Sequence, residues 1–236
     1  AARAALERYI REAQDARELK LLKAQLQMDA GESEQALTTF EGLLEDNPQR
    51  PDILFAAAVL ALEIEDLEAA RGYLETLQGM GKRPDDVAFL LGQVEESADN
   101  NEAALALYET ALARDPENAA AMAGLANALT QRVIRFSDET GLGAERRSLG
   151  EAIESGWLER DDARAAIDRA AALAQAATEA DPGHARAWRA LGLAEAARGD
   201  FEASRRAHER ALVIDPDDWG ALVNLADISQ LTGRDS

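Results

Sequence analysis

An all-α chain built from a repeated helical hairpin follows from three observations. Apolar residues recur at i, i+3, i+4 and i+7 along almost the whole sequence, broken by short polar turns, and no stretch of β-branched alternation competes with them. Prolines keep a fixed interval: Pro48 and Pro116 stand 68 residues apart, Pro182 and Pro216 stand 34 apart. The 236 residues are 47% apolar but only 5% aromatic, a balance suited to helices that meet through alanine.

Units of 34 residues starting at Arg17, Pro51, Asp85, Ala119, Ala185 and Trp219 place like residues at like positions. The first helix of each hairpin, helix A, runs from the starting residue. Its eighth position reads Ala24, Ala58, Gly92, Ala126, Gly192 and Ala226. The second, helix B, carries Ala2, Ala36, Ala70, Ala104, Ala170 and Ser204 at position 20. Two helices approach closely only where no large side chain holds them apart, so each needs one small crossing residue. Larger residues fill the flanks, with Leu54, Met122, Trp188 and Leu222 at position 4 and Leu6, Phe40, Leu74 and Tyr108 at position 24. Helix B then stops at Asn47-Pro48, Asp115-Pro116, Asp181-Pro182 and Asp215-Pro216, because a proline ring disfavours helical geometry in the residue before it. The unit at Pro51 has Lys82 in place of that proline.

Two irregularities interrupt the period. Residues 1–16 read as a helix B without its helix A, and residues 219–236 as a helix A without its helix B, so both ends are expected to be half repeats cut from a longer protein. Between Ala119 and Ala185 the spacing exceeds one period by 32 residues, and the remaining chain is six periods long. The surplus, residues 133–164, reads as an insertion between helix A (about 119–131) and helix B (about 165–180) of the fourth unit. It contains a glycine-rich loop at 137–143 and a short helix at 144–154, with Gly156 as its stop and Asp161-Asp162 as the N-cap of a lengthened helix B.

This register resembles the tetratricopeptide repeat family, most plainly in Trp188, Leu191, Gly192, Gly199, Ser204, Ala211 and Pro216 and in the unit at residues 85–116. The resemblance implies a right-handed α-solenoid of helical hairpins, here a single array over residues 1–236 with one insertion. It also implies a concave groove lined by helix A at positions 2, 5, 9, 12 and 13 that holds a peptide or helix of a partner. Carried over position by position, the groove residues are Leu21, Phe55 and Phe89 at position 5, Val59, Gln93 and Asn127 at position 9, Leu62 at position 12, and Arg186 and Arg189 at positions 2 and 5. Stacked helices lie about 10 Å apart, so the position 5 residues would form an apolar strip about 20 Å long, enough for anchors one and two turns apart on a partner helix. The other reading of Phe55 and Phe89 is interior packing against the next helix A. The two arginines suit a carboxylate. The family's clamp for chaperone C-termini is nevertheless missing, since its lysines and asparagine are replaced by Ala123, Ala190 and Gly220.

Chemistry beyond binding finds no support. No cysteine is present, which excludes disulfides, thiolate catalysis and cysteine-based metal sites. Gly79-Met80-Gly81-Lys82 and Gly141-Leu142-Gly143 lack the spacing of phosphate loops. His184 and His208 read as a capping imidazole and a packed core histidine rather than ligands or bases. Asp138, Glu139, Asp161 and Asp162 read as solvated acids without cation-site spacing. A net charge of −20 opposes nucleic acid and anionic membrane as partners, and no apolar run reaches the length of a membrane span.

Residues 1–118 carry 25 acidic and 11 basic side chains, residues 119–236 carry 20 and 14. The acids either favour amphipathic, basic ligands or serve solubility on the outer face. Three lysines against 22 arginines are consistent with a GC-rich bacterial source or with mild salt adaptation, and the compartment, bacterial cytoplasm or periplasm, stays open. The expectation is thus an interaction scaffold, not an enzyme, with no cofactor, no metal and a protein or peptide partner. Two alternatives stay open: a substrate-presenting arm of a larger transferase or hydrolase, and a homo-oligomer formed through the terminal helices. The insertion is expected either to lie over the groove or to project as a docking surface.

Overall fold

The computed structural model describes residues 2–135 and 148–233. These contain twelve α-helices and no strand. The chain divides into two compact units, residues 1–98 and 99–236.

The first unit holds α1 (Ala2–Asp29), α2 (Ser33–Leu44), α3 (Pro51–Glu63), α4 (Leu67–Gly79) and α5 (Pro84–Ser97). Helices α1 and α2 form one hairpin and α3 and α4 the next, while α2 packs on α3 and α4 on α5. The crossing positions behave as their size requires: Ala24, Ala36, Ala58 and Ala70 have no solvent exposure. Pro51 and Pro84 open α3 and α5, where the missing N–H would have had no helical partner. The Asp66 side chain accepts from the Ala69 N–H at 3.0 Å and so caps α4. Without a proline at Lys82, α4 is stopped instead by Gly81 at φ 63°, a left-handed conformation that glycine adopts at little cost.

The second unit holds α6 (Asn101–Arg114), α7 (Ala119–Arg135), α8 (Leu149–Glu154), a 3-10 turn (Trp157–Glu159), α9 (Asp161–Ala180), α10 (Ala185–Ala197), α11 (Phe201–Ile214) and α12 (Trp219–Gly233). Its hairpins are α7 with α9 and α10 with α11, and α10 also packs on α7 and α9. Three Asp-Pro turns share one device: the Asp115, Asp181 and Asp215 carboxylates accept from the backbone N–H two residues on, at 3.0–3.2 Å. Large residues at position 24 are matched by small ones opposite. A Cβ added to Gly192 would lie 2.6 Å from the His208 ring, and one added to Gly124 would lie 2.6 Å from the Tyr108 ring.

Several expectations need correction. Residues 2–16 are not a separate helix B, because α1 runs unbroken to Asp29. The stretch Ala13-Gln14-Asp15-Ala16 holds neither proline nor glycine where other units carry their turn, and alanine and glutamine favour continuing the helix. The short helix of the insertion begins at Leu149, set by a capping box in which Ser148 and Glu151 bond each other's backbone N–H groups. The glycine-rich loop at 137–143 and residues 144–147 lie outside the described residues. Arg160, not Asp161 or Asp162, occupies the N-cap of α9. Asp162 accepts from Arg160 Nε at 3.1 Å, and that hydrogen bond holds its carboxyl below the usual carboxylate range.

The described part of the insertion from Leu149 onward is packed. Leu149, Ala152 and Leu158 are buried in one apolar cluster with Val133 and Ile134 of α7, Ala163 and Ile167 of α9, Leu193, Ala196 and Ala197 of α10, and Ile228 of α12.

Candidate peptide-binding groove

In the first unit the predicted groove residues stand at equal register on three A helices: Leu21 on α1, Phe55, Val59 and Leu62 on α3, Phe89 and Gln93 on α5. All but Val59 are half-buried, and Val59 is 36% exposed. On the inward faces of α3 and α5, Ile53, Leu60, Val87 and Val94 are buried. Phe55 and Phe89 thus lie between the fully buried core and open surface.

Its edge carries ion pairs that the sequence did not reveal. The Arg83 guanidinium lies over the Phe55 ring, 3.4 Å from its centroid, while its Nε donates to Asp86 at 2.8 Å. Arg83 reaches this place from a left-handed conformation, φ 47°, at the turn before α5. One unit earlier Arg50 Nε donates to Asp52 at 2.9 Å. That hydrogen bond pulls the Asp52 carboxyl below its usual range. Asp52 and Asp86 both occupy position 2, so each acid there already has an arginine. Deeper on α5, Glu95 is paired with Arg71. The acidity seen in the count is therefore partly neutralised at the strip itself.

The second unit treats its groove residues differently. Asn127 is half-buried on α7. Arg186 Nη2 donates to the Tyr108 hydroxyl at 3.3 Å. Arg189 Nη1 donates to Asp218 at 2.7 Å, and the Asp218 side chain is 5% exposed. The same Asp218 oxygen accepts from the Ala221 N–H at 3.0 Å and caps α12. Arg189 is therefore not a free clamp for a partner's carboxylate, since its carboxylate comes from the next turn of its own chain. Behind it His208 is fully buried with neither ring nitrogen bonded, and burial pushes its pKa down to about 4. His184 is the N-cap residue of α10 but makes no capping bond, and burial lowers its pKa too. Neither imidazole is placed to act as a base or ligand, and no group of three potential metal-binding side chains occurs among the described residues.

Leu193, Ala196 and Ala197, at positions 9, 12 and 13 of α10, are buried in the cluster with α8, and Leu231 at position 13 of α12 packs against it.

A further apolar face lies on α1. Leu19, Leu22 and Leu26 on α1 are 66%, 56% and 60% exposed, whereas Ile53 and Leu60, the α3 equivalents of Leu19 and Leu26, are buried. The signal was present in the apolar character of positions 3 and 10 in the first unit. No described helix is long and apolar enough to cross a membrane.

Comparison with known proteins agrees with this construction. Among solved structures, PilW, a widely conserved type IV pilus biogenesis factor, aligns with TM-score 0.62 at 13% identity, over 92% of this chain and 86% of that one. A thermophilic tetratricopeptide protein of Thermus thermophilus aligns with TM-score 0.58 at 18% identity, over 90% and 98%. A tetratricopeptide repeat protein of Parabacteroides merdae gives 0.57 at 17%, over 92% and 73%. At these identities the likeness concerns the fold. No curated protein matches the sequence. Two family models, each described as tetratricopeptide repeat, match residues 21–87 and 89–133 and residues 185–228 respectively. With hairpins, crossing residues and family models in agreement, the chain belongs to the tetratricopeptide repeat family.

Proposed function

We propose that this interaction scaffold binds an amphipathic, basic peptide or helix along the strip Leu21, Phe55, Val59, Leu62, Phe89 and Gln93 of its N-terminal unit. The observation that carries the reading is a contrast at equal register. Val59 at position 9 is 36% exposed and Leu62 at position 12 half-buried, whereas Leu193 and Ala196, at the same positions of α10, are buried. Apolar groove surface is therefore open in one unit and filled in the other. Partners with apolar anchors one and two turns apart match the spacing of the A helices. The excess of acids over residues 1–118, 25 against 11 basic side chains, adds steering that salt weakens.

The test is selection from a displayed peptide library on the wild-type protein and on Val59→Lys/Gln93→Lys. Wild type should enrich basic peptides with apolar anchors, and binding should weaken as salt rises. The variant should keep its helical circular dichroism and lose them. Equal enrichment by both proteins would sink the proposal.

Self-association is a second reading, supported by apolar exposure near both ends: Leu19, Leu22 and Leu26 on α1, and Trp219 at 75% on α12. Light scattering over a concentration series decides it. A monomer mass throughout would remove this reading.

A further inference from the structure

We infer that the segment at residues 148–159 is an internal ligand, and that the C-terminal unit beneath it is a second helix-binding site for a partner of the same pattern. The segment has the form of a peptide anchor. Leu149, Ala152 and Ile153 stand at i, i+3 and i+4 on α8 and face the cluster, while Glu151 and Glu154 stay exposed. Ser148 and Glu151 hold its first turn by their mutual capping bonds. Gly156, at φ 70°, then turns the chain so that Trp157 and Leu158 enter the same cluster.

The segment shares its cluster with α10 positions that are groove positions by register, and α8 also meets α7 and α12 there. Leu193, Ala196 and Ala197 are the α10 counterparts of Val59, Leu62 and Glu63 on α3, and only the α10 set is buried. The seam is bordered by open space at one end. A recess of about 340 Å³ opens between Leu158 and Glu159 on one side and Ile167, Asp168, Ala197 and Arg198 on the other. The ion pair that spans it within the insertion's border, Arg164 with Glu159 at 3.2 Å, is largely exposed and holds weakly. The site thus asks for a short amphipathic helix carrying Leu-x-x-Ala-Ile, followed after a turn by an aromatic residue, leucine and an acid. It is independent of whatever the N-terminal strip binds.

The experiment uses the full chain with Leu149→Ser/Leu158→Ser and a fluorescein-labelled synthetic peptide of residues 148–160, followed by anisotropy. Because the chain has no cysteine, adding Ala152→Cys supplies a single thiol whose reaction rate reports whether α8 has left its site. The expected result is a variant that stays helical, reacts at its thiol about tenfold faster, and binds the peptide at least roughly tenfold more tightly than wild type. Binding should survive Val59→Lys/Gln93→Lys, which separates this site from the N-terminal strip. A helical variant that binds no peptide overturns the inference. So does equal binding by wild type, which would place the peptide elsewhere. Loss of the helical signal also overturns it, since a ligand can leave its site without unfolding it.

Discussion

Gly192→Ala tests whether hairpin crossings are as tight as the register demands. An added methyl would meet three atoms of the His208 ring at 2.6–2.8 Å. Ordinary carbon contacts begin near 3.4 Å, so the two helices must part by roughly 0.8 Å or the ring must turn. Neither is easy. His208 is fully buried, and the Ser204 hydroxyl donates to the Gly192 carbonyl at 2.6 Å, which ties α11 to α10 at this point. Overpacking of this kind costs about 1–3 kcal/mol. Alanine in a helix interior recovers about 1 kcal/mol relative to glycine. The net expectation is a loss of up to about 2 kcal/mol, read as a lower urea midpoint in circular dichroism, with the two-state treatment checked against a second probe. In a His208→Ala background the ring is gone, and the same substitution should become stabilising by about 1 kcal/mol. A stabilising Gly192→Ala in the wild-type background, or the same effect in both backgrounds, would refute the packing argument.

Three further outcomes are expected. His208 titrates at about 4 when folded and near 6.5 when unfolded, so the unfolded chain binds more protons between those values. Stability is thus retained above pH 6.5 and falls as pH drops toward 4, by about 2 kcal/mol between pH 7 and pH 5. Urea midpoints at those two pH values should show this difference, and His208→Phe should flatten it. Asp218→Ala should cost about 2 kcal/mol, because it removes the cap of α12 and leaves Arg189 without its carboxylate. Asp218→Asn, which keeps an accepting oxygen, should cost about half as much in the same thermal melt. Ala36→Leu, at a crossing with no exposure, should destabilise by about 1–3 kcal/mol, and unchanged melting would show that α1 and α2 do not cross there.

The hairpins were legible because each unit repeats the same local requirement. Ala58 and Ala70, or Gly192 and Ser204, sit where backbones meet, and nothing distant is needed to read them. Capping was less legible. Asp66, Asp200 and Asp218 cap helices, but Asp161 and Asp162 do not, because Arg160 takes the cap position and draws Asp162 to itself. The groove residues were placeable by register, yet their availability was not. Nothing in the residues around Arg189 marks Asp218 as its partner, 29 positions away, or Arg83 as the cover of Phe55.

Composition, period and crossing residues by themselves determined the helical class, the hairpin as building block and the absence of thiol chemistry. Those follow from spacing along a helix, which is local and recorded again in every unit. Tertiary structure alone decided that residues 2–29 form one helix, that Leu149 and Leu158 join Leu193, Ala196 and Ala197 of α10 in one buried cluster, and that Val59 stays exposed. The physical reason is that the break in the period locates an insertion along the chain but not in space: where it packs is chosen by apolar surface assembled from helices distant in the chain.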